Sequence, residues 1–190
     1  VVMGNCGVGF APADPERRDW LIGLMEGVED IPGAALAEGI KWEWESFPEY
    51  LDAIEKRDFA IDVGAQVPHG ALRAYVMGER GARNEEPTAD DLTAMAQIVQ
   101  EGIEAGALGF TSSRTMLHRA LDGEPVPGTF AGAEEIIALG EAVAKAGGGV
   151  IEVASDIGLG GLEGNFGTDI EWMRELASNY GLTVTYALTQ

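Results

Sequence analysis

The chain opens on the stretch Val1-Val2-Met3-Gly4-Asn5-Cys6-Gly7-Val8-Gly9, which predicts the end of a buried strand followed by a sharp turn around the only cysteine. Glycines near Cys6 on both sides allow that turn, because glycine adopts backbone angles that other residues avoid. A thiol at the mouth of a strand either binds a metal or attacks an electrophile. The alternative is a small buried apolar side chain, which is what most free cysteines are.

The same stretch helps to distinguish between two candidate α/β folds, a barrel and a doubly wound sheet. Its glycines lack the G-x-G-x-x-G spacing that opens the first helix of a doubly wound, dinucleotide-binding sheet. Apolar runs predict strands covered on both faces at residues 1–4, 60–67, 107–111, 149–154 and 183–188. Strands that alternate with helices are typical of parallel βαβ units. We therefore expect an α/β fold, a partial TIM-type (β/α)8 barrel, since a closed barrel typically needs ~250 residues. An open doubly wound sheet is the competing fold.

Capping signals and helical periodicity predict the helices between these strands. N-terminal caps are predicted at Asp14 before Pro15, at Ser46 with Glu49, and at Thr88 with Asp91. Apolar residues at helical spacing predict two further helices, over residues 133–144 and 170–180.

Two segments do not fit a strand or a helix. Residues 30–44 are rich in Trp and Gly, and we expect an irregular insertion over the barrel mouth. Residues 156–167 are rich in glycine and follow a strand. This second segment is either a mobile lid, as loops after barrel strands often are, or a plain flexible connection.

Composition limits the classes of function. The chain has 190 residues, which predicts one domain over residues 1–190 with no internal boundary. Its formal net charge is −20, from 32 acidic and 12 basic residues, which disfavours nucleic acid as a partner. No apolar run approaches the ~20 residues of a membrane span. A single cysteine excludes an internal disulfide and fits a cytoplasmic location. The chain does not begin with Met, so we expect a piece of a longer protein.

Four motifs, taken together and in order, resemble a known family. The stretch Met3-Gly4-Asn5-Cys6-Gly7-Val8-Gly9-Phe10-Ala11-Pro12 is similar to the cysteine motif of the N-acyl-D-amino-acid deacylases, or D-aminoacylases, of the amidohydrolase superfamily. Residues 67–73 (VPHGALR), 106–115 (GALGFTSSRT) and 123–129 (GEPVPGT) continue the resemblance. It spans nearly the whole chain but only the middle of the family's catalytic barrel, about strands 2 to 6 with their helices.

The resemblance implies zinc-dependent hydrolysis of the amide bond of N-acyl-D-amino acids or related N-acyl compounds. It implies Zn²⁺ as cofactor, a small N-acyl amino acid as substrate, and Cys6 as a metal ligand. A thiolate suits zinc chemically. The family's His-x-His pair would lie before Val1 and its general-base aspartate beyond Gln190, both outside this chain. Assembly into a homo-oligomer stays open.

The chain departs from the family pattern where later strands end. The family often places a metal-binding histidine there, whereas this sequence has Ala154-Ser155-Asp156 after one strand and Thr189-Gln190 after the next. Glu152 or Asp156 could supply an oxygen ligand instead. Asp156 could equally begin a turn.

Four further residues are predicted to bind substrate: His69, Arg73, Arg114 and His118. His69 follows a strand, where it either contacts substrate, supports the zinc site, or is a satisfied polar residue of the turn. The two arginines and His118 either bind the carboxylate of an N-acyl amino acid or pair with surrounding acidic residues.

Two other functions remain open at this stage. Cys6 could be the nucleophile of a thiol hydrolase, in which case His69 is the only plausible base. Alternatively, the 190 residues are a non-catalytic barrel fragment whose open strand edges need a partner chain.

Overall fold

The computed structural model describes residues 1–4, 6–155 and 166–186, with the backbone alone for residues 166–168. The strands are β1 (Val2–Met3), β2 (Gly64–Ala65), β3 (Val67–Pro68), β4 (Gly109–Arg114), β5 (Val150–Ser155) and β6 (Thr183–Tyr186). The helices are α1 (Arg18–Glu29), α2 (Gly33–Gly39), α3 (Phe47–Glu55), α4 (His69–Met77), α5 (Glu79–Ala82), α6 (Ala89–Glu104), α7 (Ala133–Lys145) and α8 (Phe166–Tyr180). The predicted lid falls mostly on residues 156–165, outside the described residues, as do Asp156, Thr189 and Gln190.

Every strand pairing in the described residues is parallel, and the strands lie in chain order. β1 pairs with β2, and β3 is followed by β4, β5 and β6. The Gln66 amide donates to the Met3 carbonyl, and the Leu108 amide to the Ala65 carbonyl, so hydrogen bonds continue between the two sets of strands. A doubly wound sheet reverses its strand order at a switch point, and no reversal occurs among these strands. The partial barrel is therefore confirmed.

Several strand boundaries differ from those predicted. The largest difference is at the second strand, which is predicted to include residues 60–63, whereas pairing with β1 begins only at Gly64. Ile61 in that segment is exposed, so its apolar character does not indicate a buried strand. The Gln66 position separates β2 from β3, and β4 continues past the predicted end to Arg114.

The helices pack against the strands and against one another, and together they form the core. Capping boxes are present at Ser46 and Thr88, and Asp14 accepts a hydrogen bond from the Glu16 amide, as predicted. The core includes Phe110 and Ile151 from the strands and Leu176 from α8. None of the helices in the described ranges is long and apolar enough to cross a membrane.

The segment at residues 30–44 is more regular than predicted. It contains α2, followed by an aromatic cluster in which Trp42 meets Phe10 edge to face and Trp44 at a tilt. The Trp44 indole N–H donates to the Phe10 carbonyl over 2.7 Å. This segment is therefore anchored on the chain that follows the cysteine turn.

Close approach of β4 and β5 gives a test of the sheet. A Cβ added at Gly109 would lie 1.9 Å from the Val150 carbonyl oxygen. Gly109→Ala should therefore lower the free energy of unfolding by about 3 kcal/mol or more, because the contact is with backbone that cannot rotate away. Gly23 in α1 has nothing within 4 Å of such a Cβ, so Gly23→Ala should raise stability by about 1 kcal/mol. Urea denaturation measures both, and equal effects of the two variants would contradict this packing.

Candidate functional site

The cysteine turn lies against the end of β4. Gly7 has a φ of +82°, and a Cβ there would lie 2.3 Å from the Ser113 amide nitrogen. On the other side, the Gly70 amide at the start of α4 donates to the Gly7 carbonyl over 2.9 Å. Only glycine fits between these two neighbours. The turn is therefore held at the carboxyl ends of the parallel strands, the edge where barrels carry their chemistry.

Cys6 is half buried and contacts a carboxylate. Its thiol donates to Glu29 Oε1 over 3.7 Å, and Glu29 is the last residue of α1. Burial raises the pKa of the Cys6 thiol above its ordinary value, and the negative charge of Glu29 adds to this effect. Without a cation the side chain is therefore a neutral thiol at pH 7.

A cavity of about 330 Å³ opens beside the turn. Its polar walls include Cys6, Glu29 and Gln66, and its apolar walls include Met3, Phe10, Met25, Phe47 and Tyr50. A mostly apolar pocket with a few convergent polar groups is typical of a small-molecule site.

His69 lies in a fully buried hydrogen-bonded network behind the turn. Its Nδ1 is 2.8 Å from the Ser112 hydroxyl, and its Nε2 is 3.0 Å from Glu135 Oε1. A Cβ at Gly128 would lie 2.5 Å from His69 Nδ1, which explains a glycine in that predicted motif. The network therefore joins α4, β4 and α7 next to the cysteine turn.

The protonation states follow from this packing. Burial lowers the pKa of His69, so the ring is neutral at pH 7. Burial alone would raise the pKa of Glu135, but the hydrogen bond from His69 and the ion pair with Arg73 outweigh it, and the net pKa is lowered. The Nε2–H of a neutral His69 then donates to the carboxylate, and Nδ1 accepts from Ser112, a tautomer assigned from the network.

The predicted arginines have acidic partners inside the protein. Arg73 is buried, and its guanidinium donates to both oxygens of Glu135 and to the Glu85 carbonyl. Arg114 pairs with Asp169 over 2.9 Å and also donates to the Ala131 carbonyl. This is the pairing that the sequence left as the alternative to substrate binding.

His118 lies near the end of β4 with its Nδ1 3.1 Å from the Ser113 hydroxyl. The structure therefore places His69 and Arg73 in one network, which includes Ser112 of β4. It places Arg114 and His118 near the end of β4. Cys6 contacts none of these four in the described hydrogen bonds, and its partner is Glu29.

The thiol hydrolase interpretation requires His69 to act as the base for Cys6, and the structure contradicts this pairing. Both ring nitrogens of His69 have other partners, Ser112 and Glu135. The raised pKa of Cys6 is also opposite to what a nucleophilic thiol requires. His69 is not the base for Cys6.

The sequence did not identify the three carboxylates that pair with Cys6, His69 and the two arginines: Glu29, Glu135 and Asp169. Each lies in a helix among many other acidic residues, and nothing local distinguishes a buried carboxylate from a solvated one. The arginines gave an indirect signal, because a buried arginine needs a carboxylate partner.

The donor set fits part of a zinc site. Thiolate sulfur and carboxylate oxygen are both zinc ligands, and Cys6 and Glu29 supply one of each. In residues 1–4, 6–155 and 166–186, no group of three His, Cys, Asp or Glu side chains is gathered as a metal cluster. Of the two alternative oxygen ligands, Asp156 lies outside the described residues, and Glu152 accepts a hydrogen bond from Gln66 Nε2 over 2.8 Å. A four-coordinate site therefore needs donors beyond the pair.

A family profile described as the amidohydrolase family matches residues 1–190. The chain therefore belongs to the amidohydrolase family, and the resemblance seen in the sequence is confirmed.

Within that family the chain is similar to several deacylases and spans only part of their length. It is 32% identical to a D-aminoacylase of Alcaligenes xylosoxydans xylosoxydans over 59% of this chain and 20% of the relative. A solved D-aminoacylase structure with a binuclear metal centre is 26% identical, with a TM-score of 0.65, and covers 97% of this chain and 33% of that one. A solved N-acyl-D-glutamate deacylase from Bordetella bronchiseptica, complexed with zinc and a phosphonate inhibitor, is also 26% identical. Its TM-score is 0.62, over 97% of this chain and 33% of the solved chain.

The buried histidine gives a pH test of the network. An unfolded chain protonates His69 below about pH 6.5, whereas the folded network resists this, so stability should fall as pH decreases from 7.5 to 5.5. Glu135 acts in the same direction, but only below its ordinary value of 4.5. His69→Gln should flatten this dependence in urea denaturation. His118→Gln makes the same change at the other histidine and should retain most of it. If His118→Gln flattened the pH dependence of stability and His69→Gln retained it, the assignment of a neutral, buried His69 would be contradicted.

Proposed function

We propose that the full-length protein hydrolyses the amide bond of N-acyl-D-amino acids or related N-acyl compounds with zinc. The observation that carries the proposal is Cys6, held by a glycine turn at the carboxyl end of a parallel strand in a member of the amidohydrolase family. The likeness to a deacylase complexed with zinc supports the choice of metal.

We also propose that residues 1–190 are the central part of one barrel domain. The chain spans 20% of the length of the D-aminoacylase relative and 33% of the solved deacylase chains. β1 and β6 each pair with one strand among the described residues. Further strands of the same domain, or a second copy of the chain, would pair with these edges. A cytoplasmic location stays part of the proposal, on the single cysteine.

Bound zinc would activate water and polarise the amide carbonyl, and Cys6 is the residue of this chain that would hold it. The network of Ser112, His69 and Glu135 positions the cysteine turn, because it fixes both of the turn's neighbours. Buried His69 and Arg73 would act on substrate through this positioning.

We assign direct contact with substrate to two residues at the end of β4. His118 is half buried there. Arg114, the last residue of β4, has a largely buried guanidinium that can bind a carboxylate in two-point fashion. To reach substrate, Arg114 would have to share or exchange Asp169, which is its partner in this structure. An N-acyl amino acid has the carboxylate that such an exchange requires.

Hydrolysis of N-acetyl-D-amino acids, compared with their L-forms, tests the proposal in the full-length protein. Chelation should abolish turnover, and added zinc should restore it. Cys6→Ser should lower kcat/KM by about 100-fold or more, since even outer partners of a metal ligand contribute 10- to 100-fold.

The 190-residue chain alone is the matched comparison and should show no turnover, because it supplies only part of the barrel. Turnover that persists after metal removal, or that is unchanged in Cys6→Ser, would contradict the proposed function. Circular dichroism of the variant checks that its fold is retained.

A further inference from the structure

Cys6 and Glu29 come together from two separate elements, the turn after β1 and the end of α1. The position of Glu29 is fixed by the helix end: Asp30 follows it with a φ of 55°, and the Asp30 amide donates to the Glu26 carbonyl. We propose that Glu29 is a second protein ligand of the metal at Cys6, an inference that rests on the proposed function.

The distance between the two side chains suits a shared metal. Cys6 Sγ and Glu29 Oε1 are 3.7 Å apart. In tetrahedral zinc coordination, with Zn–S of about 2.3 Å and Zn–O of about 2.0 Å, sulfur and oxygen ligands lie about 3.5 Å apart. The pair can therefore bind one ion with little movement of either side chain.

The charges of the pair also suit a divalent cation. A thiolate and a carboxylate together carry two negative charges, which neutralise one Zn²⁺ or Co²⁺. Cys6 is half buried and Glu29 is exposed, so an ion held between them would lose only part of its contact with water, and the pair would compensate its charge.

A third observation points to a ligand in the same cavity. Gln66 lines the cavity with Cys6 and Glu29, and it is only 5% exposed. Its Nε2 donates to Glu152, which identifies the other amide atom as oxygen. Among the described residues that buried Oε1 has no hydrogen-bond partner. A buried acceptor without a partner is costly, and a cation or its bound water would satisfy it.

Cobalt binding tests this assignment without any measurement of activity. Metal-free full-length protein is titrated with Co²⁺, and its absorption spectrum is recorded. A near-ultraviolet sulfur-to-cobalt charge-transfer band reports the Cys6 thiolate, and the visible ligand-field bands report the other donors. Glu29→Gln should keep the sulfur band, change the visible bands, and raise the Co²⁺ dissociation constant by at least ~10-fold.

Glu26→Gln is the matched control, because it makes the same change one turn earlier in α1, and its spectrum and affinity should equal those of the unchanged protein. If Glu29→Gln also leaves both unchanged, Glu29 is not a ligand, and the proposed function stands. If the unchanged protein shows no sulfur band, the metal site at Cys6 and the Glu29 assignment both fail. If the cobalt spectra of the unchanged protein and of Glu29→Gln are as expected but the full-length protein does not hydrolyse the amides, Glu29 is supported as a ligand and only the proposed function is overturned.

Discussion

The geometry of the candidate site depends on one close approach, that of the Gly7 backbone to the end of β4. The Ser113 amide nitrogen lies 2.3 Å from where a Gly7 side chain would begin, and the Gly70 amide binds the Gly7 carbonyl from the other side. The turn is thereby fixed to two elements that the chain reaches much later. The position of Cys6 is thus a consequence of tertiary packing and not of the turn alone.

Buried charge supports this arrangement from behind. Glu135 is shared between Arg73 and His69, and His69 in turn binds Ser112, the neighbour of Ser113. Removing one member would leave a buried charge or polar group without its partner, which costs far more than the loss of a surface pair. The network therefore gives the region rigidity in a protein whose net charge of −20 otherwise favours expansion.

Much of the fold could be predicted from local sequence signals. The capping boxes at Ser46 and Thr88 are encoded within four residues, and the parallel sheet follows from apolar runs that alternate with helices. The predicted start of the second strand is wrong because Ile61 is apolar but exposed, and the sequence alone does not distinguish an exposed apolar residue from a buried one. The partners of the site could not be predicted: Glu29 lies 23 residues from Cys6, and Glu135 lies 66 from His69. Nothing local in an acidic chain distinguishes these two carboxylates.

The central claim is that the thiolate of Cys6 binds the metal, and X-ray absorption at the zinc K edge of the zinc-loaded, full-length protein tests it most directly. The account predicts one sulfur neighbour at about 2.3 Å from zinc, together with nitrogen or oxygen neighbours at about 2.0–2.1 Å. The sulfur shell should disappear in Cys6→Ser. A first shell made only of nitrogen and oxygen in the unchanged protein would contradict the account.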